Sequence, residues 1–214
     1  MSKTKVKTEI SPKGVFVYPW LTKPDTEYNA AGEYKVSLRV SAEEAQPLME
    51  KIDAAIKANH DAVVKEKGKK VKRVDPPYTV DEDDNTVVFK FKMTASGKRK
   101  DSGEDWSQKP GLKSNTKGPD GKLADLPDDV SIWGGTEGKV AFSIFPYFVA
   151  GTGAGVKLRL KAVQVIKLVS GGSDYGFDEE PGEDGEGDSF EDDTEGFADG
   201  GSEDDSGSAS DGDF

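Results

Sequence analysis

Strict alternation of apolar and polar residues is the feature that most narrows what this chain can fold into. In Tyr34-Lys35-Val36-Ser37-Leu38-Arg39-Val40 the even positions are apolar and the odd ones polar. A strand sends successive side chains to opposite faces, so this segment reads as a half-buried strand. Val88-Phe89-Lys90-Phe91-Lys92-Met93 sets Phe89, Phe91 and Met93 against Lys90 and Lys92, and Lys139-Val140-Ala141-Phe142-Ser143-Ile144 obeys the same rule. Val156-Lys157-Leu158-Arg159-Leu160-Lys161-Ala162 alternates too, but its apolar parity then moves to Val163 and Val165. One extra residue produces such a shift, which predicts a bulge or bend near Ala162. Gly14-Val15-Phe16-Val17-Tyr18 adds a further short apolar run.

One helix interrupts the strands. Ser41 with Glu44 three residues on forms a capping box. Apolar residues then recur at Ala45, Leu48, Met49, Ile52, Ala55, Ile56 and Val63, one face of a 3.6-residue period. Pro47 lies too deep for the first turn, which predicts a separate or kinked start, and the helix should stop near Gly68. Residues 65–73 are basic, Asp81-Glu82-Asp83-Asp84-Asn85 reads as an acidic turn, and 96–122, rich in Gly and Lys, reads as a long mobile loop containing the turn Gly118-Pro119-Asp120-Gly121. A few short alternating strands and one helix point to a mainly β protein built on a small antiparallel barrel.

Charge divides the chain. It carries 29 Lys and Arg against 41 Asp and Glu, yet 18 of those acids, and no base, lie in 171–214. The first 170 residues are left with 29 bases and 23 acids, a mildly basic body of net +6. The expected organisation is therefore a domain over 1–170 and a tail over 171–214. Composed of Gly, Ser, Asp and Glu with scattered aromatics, that tail cannot bury enough apolar surface to offset its ordering entropy, so disorder is expected. The absence of Cys removes disulfides, thiolate metal sites and Cys nucleophiles, and His60 is the only His. No apolar run approaches the ~20 residues of a membrane helix. The first residues lack the apolar stretch of a secretory signal, so a soluble, intracellular protein is expected.

Several motifs invite chemistry and fail on inspection. Asp81-x-Asp83-x-Asn85 opens like a calcium loop, but Thr86 and Lys92 stand where Gly and Glu are needed. Gly151-Thr152-Gly153-Ala154-Gly155 leads into a strand, so no helix N-terminus faces a phosphate, and a flexible strand connection is expected. Gly182-Glu183-Asp184-Gly185 is one degenerate copy of a calcium-roll repeat that needs several. His60, late in the helix, has no nucleophile motif to serve and reads as solvated. With no set of nucleophile, base and orienting group, the chain is not expected to be an enzyme and has no catalytic residues, metal site or cofactor to assign.

What remains is a binding pattern. Lys35 and Arg39, Lys90 and Lys92, and Lys157, Arg159 and Lys161 occupy the polar sides of three strands. Phe16, Tyr18, Trp20, Tyr34, Trp106, Trp133, Tyr147 and Phe148 lie close to them in sequence, and Lys109 lies in the basic loop. Cations meet phosphates and flat rings stack splayed bases at about 1–3 kcal/mol each, a combination suited to single-stranded nucleic acid. Phe16, Phe89, Phe91 and Phe142 are assigned to the core. The tail ends in Asp211-Gly212-Asp213-Phe214. Tethered to the body at roughly millimolar effective concentration, it should occupy the basic groove until DNA displaces it. Its terminal Phe could then anchor in an apolar pocket of a partner, with the flanking carboxylates on that partner's basic rim. The alternative is an acidic protein-interaction module, a chaperone or a DNA mimic, in which the body is only a scaffold.

In order along the chain, Tyr34-Lys35-Val36 with Leu38, Phe89-Lys90-Phe91-Lys92, Asp120-Gly121-Lys122 followed by Asp128 and Val130, Gly134-Gly135, Pro146-Tyr147, Val156-Lys157-Leu158 with Leu160, and the ending Asp211-Gly212-Asp213-Phe214 carry a resemblance. With these, the chain resembles the single-stranded-DNA-binding proteins of short-tailed, T-odd-type bacteriophages (podoviruses). The resemblance implies a five-stranded antiparallel OB-fold barrel with one capping helix, sequence-independent binding of single-stranded DNA, and a homodimer. It implies a role in phage DNA replication, recombination and repair in the cytoplasm of the infected bacterial host. It also implies an acidic tail that competes with DNA and docks on the phage DNA polymerase and helicase–primase through Asp211, Asp213 and Phe214. By position, Lys92 and Tyr147 match DNA contacts, and Lys3 matches in a basic N-terminal arm. The family can place an aromatic where Thr94 stands, and Trp106 is the candidate substitute. The DNA-contact set expected is thus Lys3, Trp20, Lys35, Arg39, Lys90, Lys92, Trp106, Lys109 and Tyr147.

Overall fold

The computed structural model describes residues 7–68, 70–127 and 129–169. Along them run β1 (Glu9–Ile10), β2 (Gly14–Asp25), β3 (Glu33–Ser41), α1 (Ala42–Lys67), β4 (Tyr78–Asp81), β5 (Thr86–Thr94), β6 (Ser96–Lys98), β7 (Asp105–Ser107), β8 (Gly111–Lys117), β9 (Leu123–Asp125), β10 (Glu137–Val149) and β11 (Gly153–Lys167). The expected tail over 171–214, with Asp211, Asp213 and Phe214, and the N-terminal Lys3 lie outside the described residues.

Five strands close a ring. β2 pairs with β3, β3 with β5, β5 with β11, β11 with β10, and β10 returns to β2. This is the expected OB-fold barrel, with one refinement. Four junctions are antiparallel, but β5 and β11 run parallel, Phe91 opposite Leu158 and Lys92 opposite Arg159. Strand direction cannot alternate all the way round an odd-membered ring, so closure requires one parallel seam. β1 and β4 extend the sheet beside β10 and β5.

The alternating segments send their apolar members inward. Phe16, Leu38, Phe89, Phe91, Phe142 and Leu158 are fully or almost fully buried, and the rings of Phe91 and Phe142 meet at 5.0 Å, tilted by 57°. Gly138 makes room for this core: a Cβ there would lie 2.4 Å from both Phe16 Cζ and the Gln164 carbonyl oxygen. The parity shift is a bulge, as expected. Ala141 faces Ala162 while Phe142 faces Leu160, leaving Lys161 as the extra residue.

α1 starts where the capping box places it. The Ser41 side chain accepts the Glu44 amide, and Gly68, in the left-handed conformation, returns its amide to the Val64 carbonyl. Ala45, Leu48, Ile52 and Ile56 bury their side chains in the barrel core. Pro47 neither ends nor separates the first turn, contrary to expectation, since Ala42–Lys67 is one helix. The proline removes a single helical hydrogen bond, while buried residues on both sides hold the backbone in place. His60 departs from a solvated role as well: its Nε2 lies 3.0 Å from the Val71 carbonyl oxygen, tying the helix to the segment after it.

The stretch 96–122 is not the long loop its composition suggests. β6 and β7 form a hairpin, β8 pairs with β9, and β8 also joins β11 in parallel beside the bulge. Short edge strands are held by backbone hydrogen bonds and need little apolar alternation, so their pattern is weak. The acidic turn is real: Asp81 and Thr86 close a hairpin, with Asn85 at φ 50°. The glycine-rich segment connects β10 to β11. Among the described residues, no helix is long and apolar enough to cross a membrane.

Candidate nucleic-acid interface

Alternation places the odd-numbered residues of β3 and the even-numbered residues of β5 on the outer face of the barrel. Register then decides which of them meet. Trp20 lies opposite Lys35, Lys35 opposite Lys92, and Lys92 opposite Arg159. One ring and three cations from four strands therefore form a single transverse row, about 14 Å across at the usual strand spacing. Beside it Ser37 faces Lys90, and Arg39 faces Val15 on one side and Val88 on the other.

The row is partly neutralised by its own acids. Lys35 donates to the Asp25 carboxylate and sits 5.8 Å from the Trp20 ring centroid. That bond, together with the Glu27 amide at 3.0 Å, holds the Asp25 carboxyl below the usual carboxylate range, and the same partner raises Lys35. Lys92 donates to Glu33 at 2.9 Å. Lys157 and Arg159 lie over the Phe145 ring at 5.3 and 5.6 Å. The side chains of Arg39 and Lys90 have no hydrogen-bond or ion-pair partner among the described residues.

Tyr147 stands at the β11 end of the row. It faces Gly155 across the β10–β11 ladder, and a Cβ on Gly155 would lie 3.0 Å from Tyr147 Oη. Asn59 fixes both backbones, its Nδ2 donating to the carbonyls of Tyr147 at 2.8 Å and Gly155 at 2.9 Å. A depression of about 290 Å³ joins Lys90, Lys92, Tyr147, Lys157 and Arg159. A second, of about 220 Å³, joins Lys90 and Lys92 to Lys35 and Tyr18. Shared walls make them one trough.

Trp20, Lys35, Lys90, Lys92 and Tyr147 are thus brought together, with Arg39 beside them. Trp106 and Lys109 are not part of the row. Trp106 sits on the β6–β7 hairpin with its indole across Gly97, and Lys109 lines a separate groove with Pro24, Tyr34 and Gln108. Lys161, the bulge residue, donates to Thr8. Arg159 completes the row, although alternation alone gives it no neighbour. The counter-charges Asp25 and Glu33 had no sequence signal, because only the strand pairing brings them to the lysines. Among the described residues, no cluster of His, Asp or Glu could hold a metal ion.

The family model described as the single-stranded DNA-binding protein of bacteriophage T7 matches residues 14–168. Among solved structures, gp2.5, a single-stranded DNA-binding protein encoded by bacteriophage T7, is 30% identical, with 83% of this chain and 98% of that chain covered and a TM-score of 0.65. The single-stranded DNA-binding protein of bacteriophage Enc34 is 17% identical over 78% of this chain and 85% of its own, with a TM-score of 0.51. The same Enc34 protein in complex with single-stranded DNA aligns with 75% of this chain and 86% of its own, at 17% identity and a TM-score of 0.50. No curated protein matches the chain.

Proposed function

This chain belongs to the T7-type family of phage single-stranded-DNA-binding proteins, and from that premise we propose that the trough crossed by Trp20, Lys35, Lys92 and Arg159 is where it holds DNA. The in-register row is the observation that carries this reading. Phosphates exchange with the carboxylates now on Lys35 and Lys92 and meet Arg39, Lys90 and Arg159 directly. Bases stack on Trp20 and Tyr147. No feature of the row reads base edges, so binding is independent of sequence. Lys3 adds a phosphate contact from the N-terminal arm, and Trp106 and Lys109 form a flanking contact beyond β5.

The domain of 1–170 works with the acidic segment 171–214 as a regulator. Eighteen acids without a base complement the cationic trough, so the segment competes with DNA for it. Displaced, it presents Asp211, Asp213 and Phe214 to the phage polymerase and helicase–primase. The protein acts as a homodimer in replication, recombination and repair in the host cytoplasm.

The test is titration of labelled oligo-dT at several salt concentrations. Lys92→Ala weakens binding alike for all sequences and flattens the salt slope by about 0.7; unchanged affinity removes Lys92 from the site. Truncation after Ser170 tightens binding at low salt, and unchanged or weaker binding refutes competition by the tail. An acidic interaction module that does not hold DNA would leave the oligonucleotide unshifted in an electrophoretic assay.

A further inference from the structure

Beside the cation trough lies a larger groove of about 740 Å³, lined by Tyr18, Trp20, Lys23, Arg39 and Trp133 among others. Three large rings stand open in it: Tyr18 is 82% exposed, Trp133 52% and Trp20 44%. Exposed aromatics on one patch mark an interaction site rather than ordinary surface.

These rings are held in place without a ligand. The turn that carries Trp133 is fastened to β2: the Gly135 amide donates to the Phe16 carbonyl at 2.9 Å, and the Phe16 amide donates to the Thr136 carbonyl at 2.8 Å. Ile132 next door is buried in the core, which leaves the indole facing out. Tyr18 has a φ of 48°, a conformation that L-residues other than Gly, Asn and Asp rarely adopt. It lies in the register shift of β2 between Val17 and Trp20. The bulge turns the ring outward, and the strain is maintained by the strands on either side.

Two facts choose the occupant. No acid among the described residues lines this groove, whereas Lys23 and Arg39 do, and the Arg39 guanidinium has no partner among the described residues. Tyr18 also forms a wall of the depression that contains Lys35, Lys90 and Lys92. An anionic ligand with flat, apolar faces, continuous with whatever fills the trough, fits both.

We propose that the Tyr18–Trp20–Trp133 groove is a second base-stacking subsite, in which the strand of single-stranded nucleic acid leaving the lysine row lays its bases on Trp133 and Tyr18 while Arg39 takes a phosphate. This rests on the trough being the DNA seat. It extends the path from β11 across β2 to the turn before β10.

The full-length variant Trp20→Phe/Trp106→Phe keeps Trp133 as its only tryptophan. Titrated with oligo-dT, its fluorescence should be quenched. Trp133→Ala should weaken oligo-dT binding by about fivefold to a hundredfold with an unchanged salt slope, and Trp133→Phe should restore most of it. Arg39→Ala should instead flatten the slope by about 0.7. If Trp133 is not quenched and Trp133→Ala binds like the parent, while Lys92→Ala still weakens binding, the subsite is refuted and the trough survives. If the parent itself fails to bind oligo-dT, both fall. Quenching that follows protein concentration without DNA would make the groove a contact between copies of the chain and overturn the subsite.

Discussion

With the trough as the proposed DNA seat, Asp25 and Glu33 should compete with DNA for its lysines, and neutralising them should tighten binding. Lys35 is held by Asp25 and Lys92 by Glu33, and each cation must release its carboxylate before it meets a phosphate. Both lysines are substantially exposed, at 33% and 58% of their side chains. Solvent screens the Lys92–Glu33 pair more than the Lys35–Asp25 pair, whose carboxylate is only 8% exposed, and each release hinders binding by at least about twofold in affinity. The freed carboxylate then stays beside the phosphate and adds repulsion of similar size. Asp25→Asn and Glu33→Gln together should therefore bind oligo-dT at least about fifteenfold tighter at low salt. The amide keeps an oxygen to accept the Glu27 amide, so the β2 end stays capped. Lys35 and Lys92 already neutralise phosphates in the parent, so the number of phosphate contacts is unchanged and the salt slope should stay close to that of the parent. Fluorescence anisotropy of a labelled oligonucleotide across a sodium chloride series reads both quantities. Unchanged or weaker affinity in a folded double variant would refute the idea that Lys35 and Lys92 face the DNA.

Gly155→Ala should lower oligo-dT affinity without altering any charge, because its Cβ would stand 2.9 Å from Val74 Cβ and 3.0 Å from Tyr147 Oη and displace the ring; the salt slope should stay that of the parent, and equal affinity would exclude Tyr147 as a platform. Gly138→Ala should destabilise the barrel by about 3 kcal/mol or prevent folding, as its Cβ overlaps Phe16 and the Gln164 carbonyl, and a thermal melt within a few degrees of the parent would contradict this packing. The Tyr78 hydroxyl donates to Asp53 at 3.0 Å and is pushed up to about 12, first by burial and then by that carboxylate. A raised folded pKa stabilises fully below the ordinary value of 10.0 and is lost as pH climbs towards 12. Urea unfolding should thus find Tyr78→Phe less stable by about 1–2 kcal/mol at neutral pH, with the difference shrinking across that alkaline window, and a constant difference would refute the linkage.

Much of this molecule was legible because its information is local. Alternation in 34–40, 88–93 and 156–162 depends only on a two-residue period, so the inward and outward faces of β3, β5 and β11 could be read directly, and the parity break at Ala162 located the bulge. Ser41, Glu44 and Gly68 fixed both ends of α1 by backbone capping, which is equally local. Three things were not legible. The strands within 96–122 are short, carry almost no apolar signature, and are anchored to the barrel through the distant pairing of β8 with β11. The interruption expected at Pro47 was cancelled by tertiary burial on both sides of it. Tyr18 and Trp133, far apart in the chain, share a groove only because the turn before β10 is fastened to β2.

The amino-acid order alone determined which residues point outward, because side-chain direction along a strand follows from backbone geometry whatever the neighbours. It also determined the separation of a basic body from an acidic end, since charge belongs to composition. Only the closed barrel decided which outward residues meet. Trp20, Lys35, Lys92 and Arg159 become neighbours through hydrogen bonds between four different strands, and the barrel places at the β5–β11 junction, beside Lys92 and Arg159, the parallel seam that an odd number of strands cannot avoid.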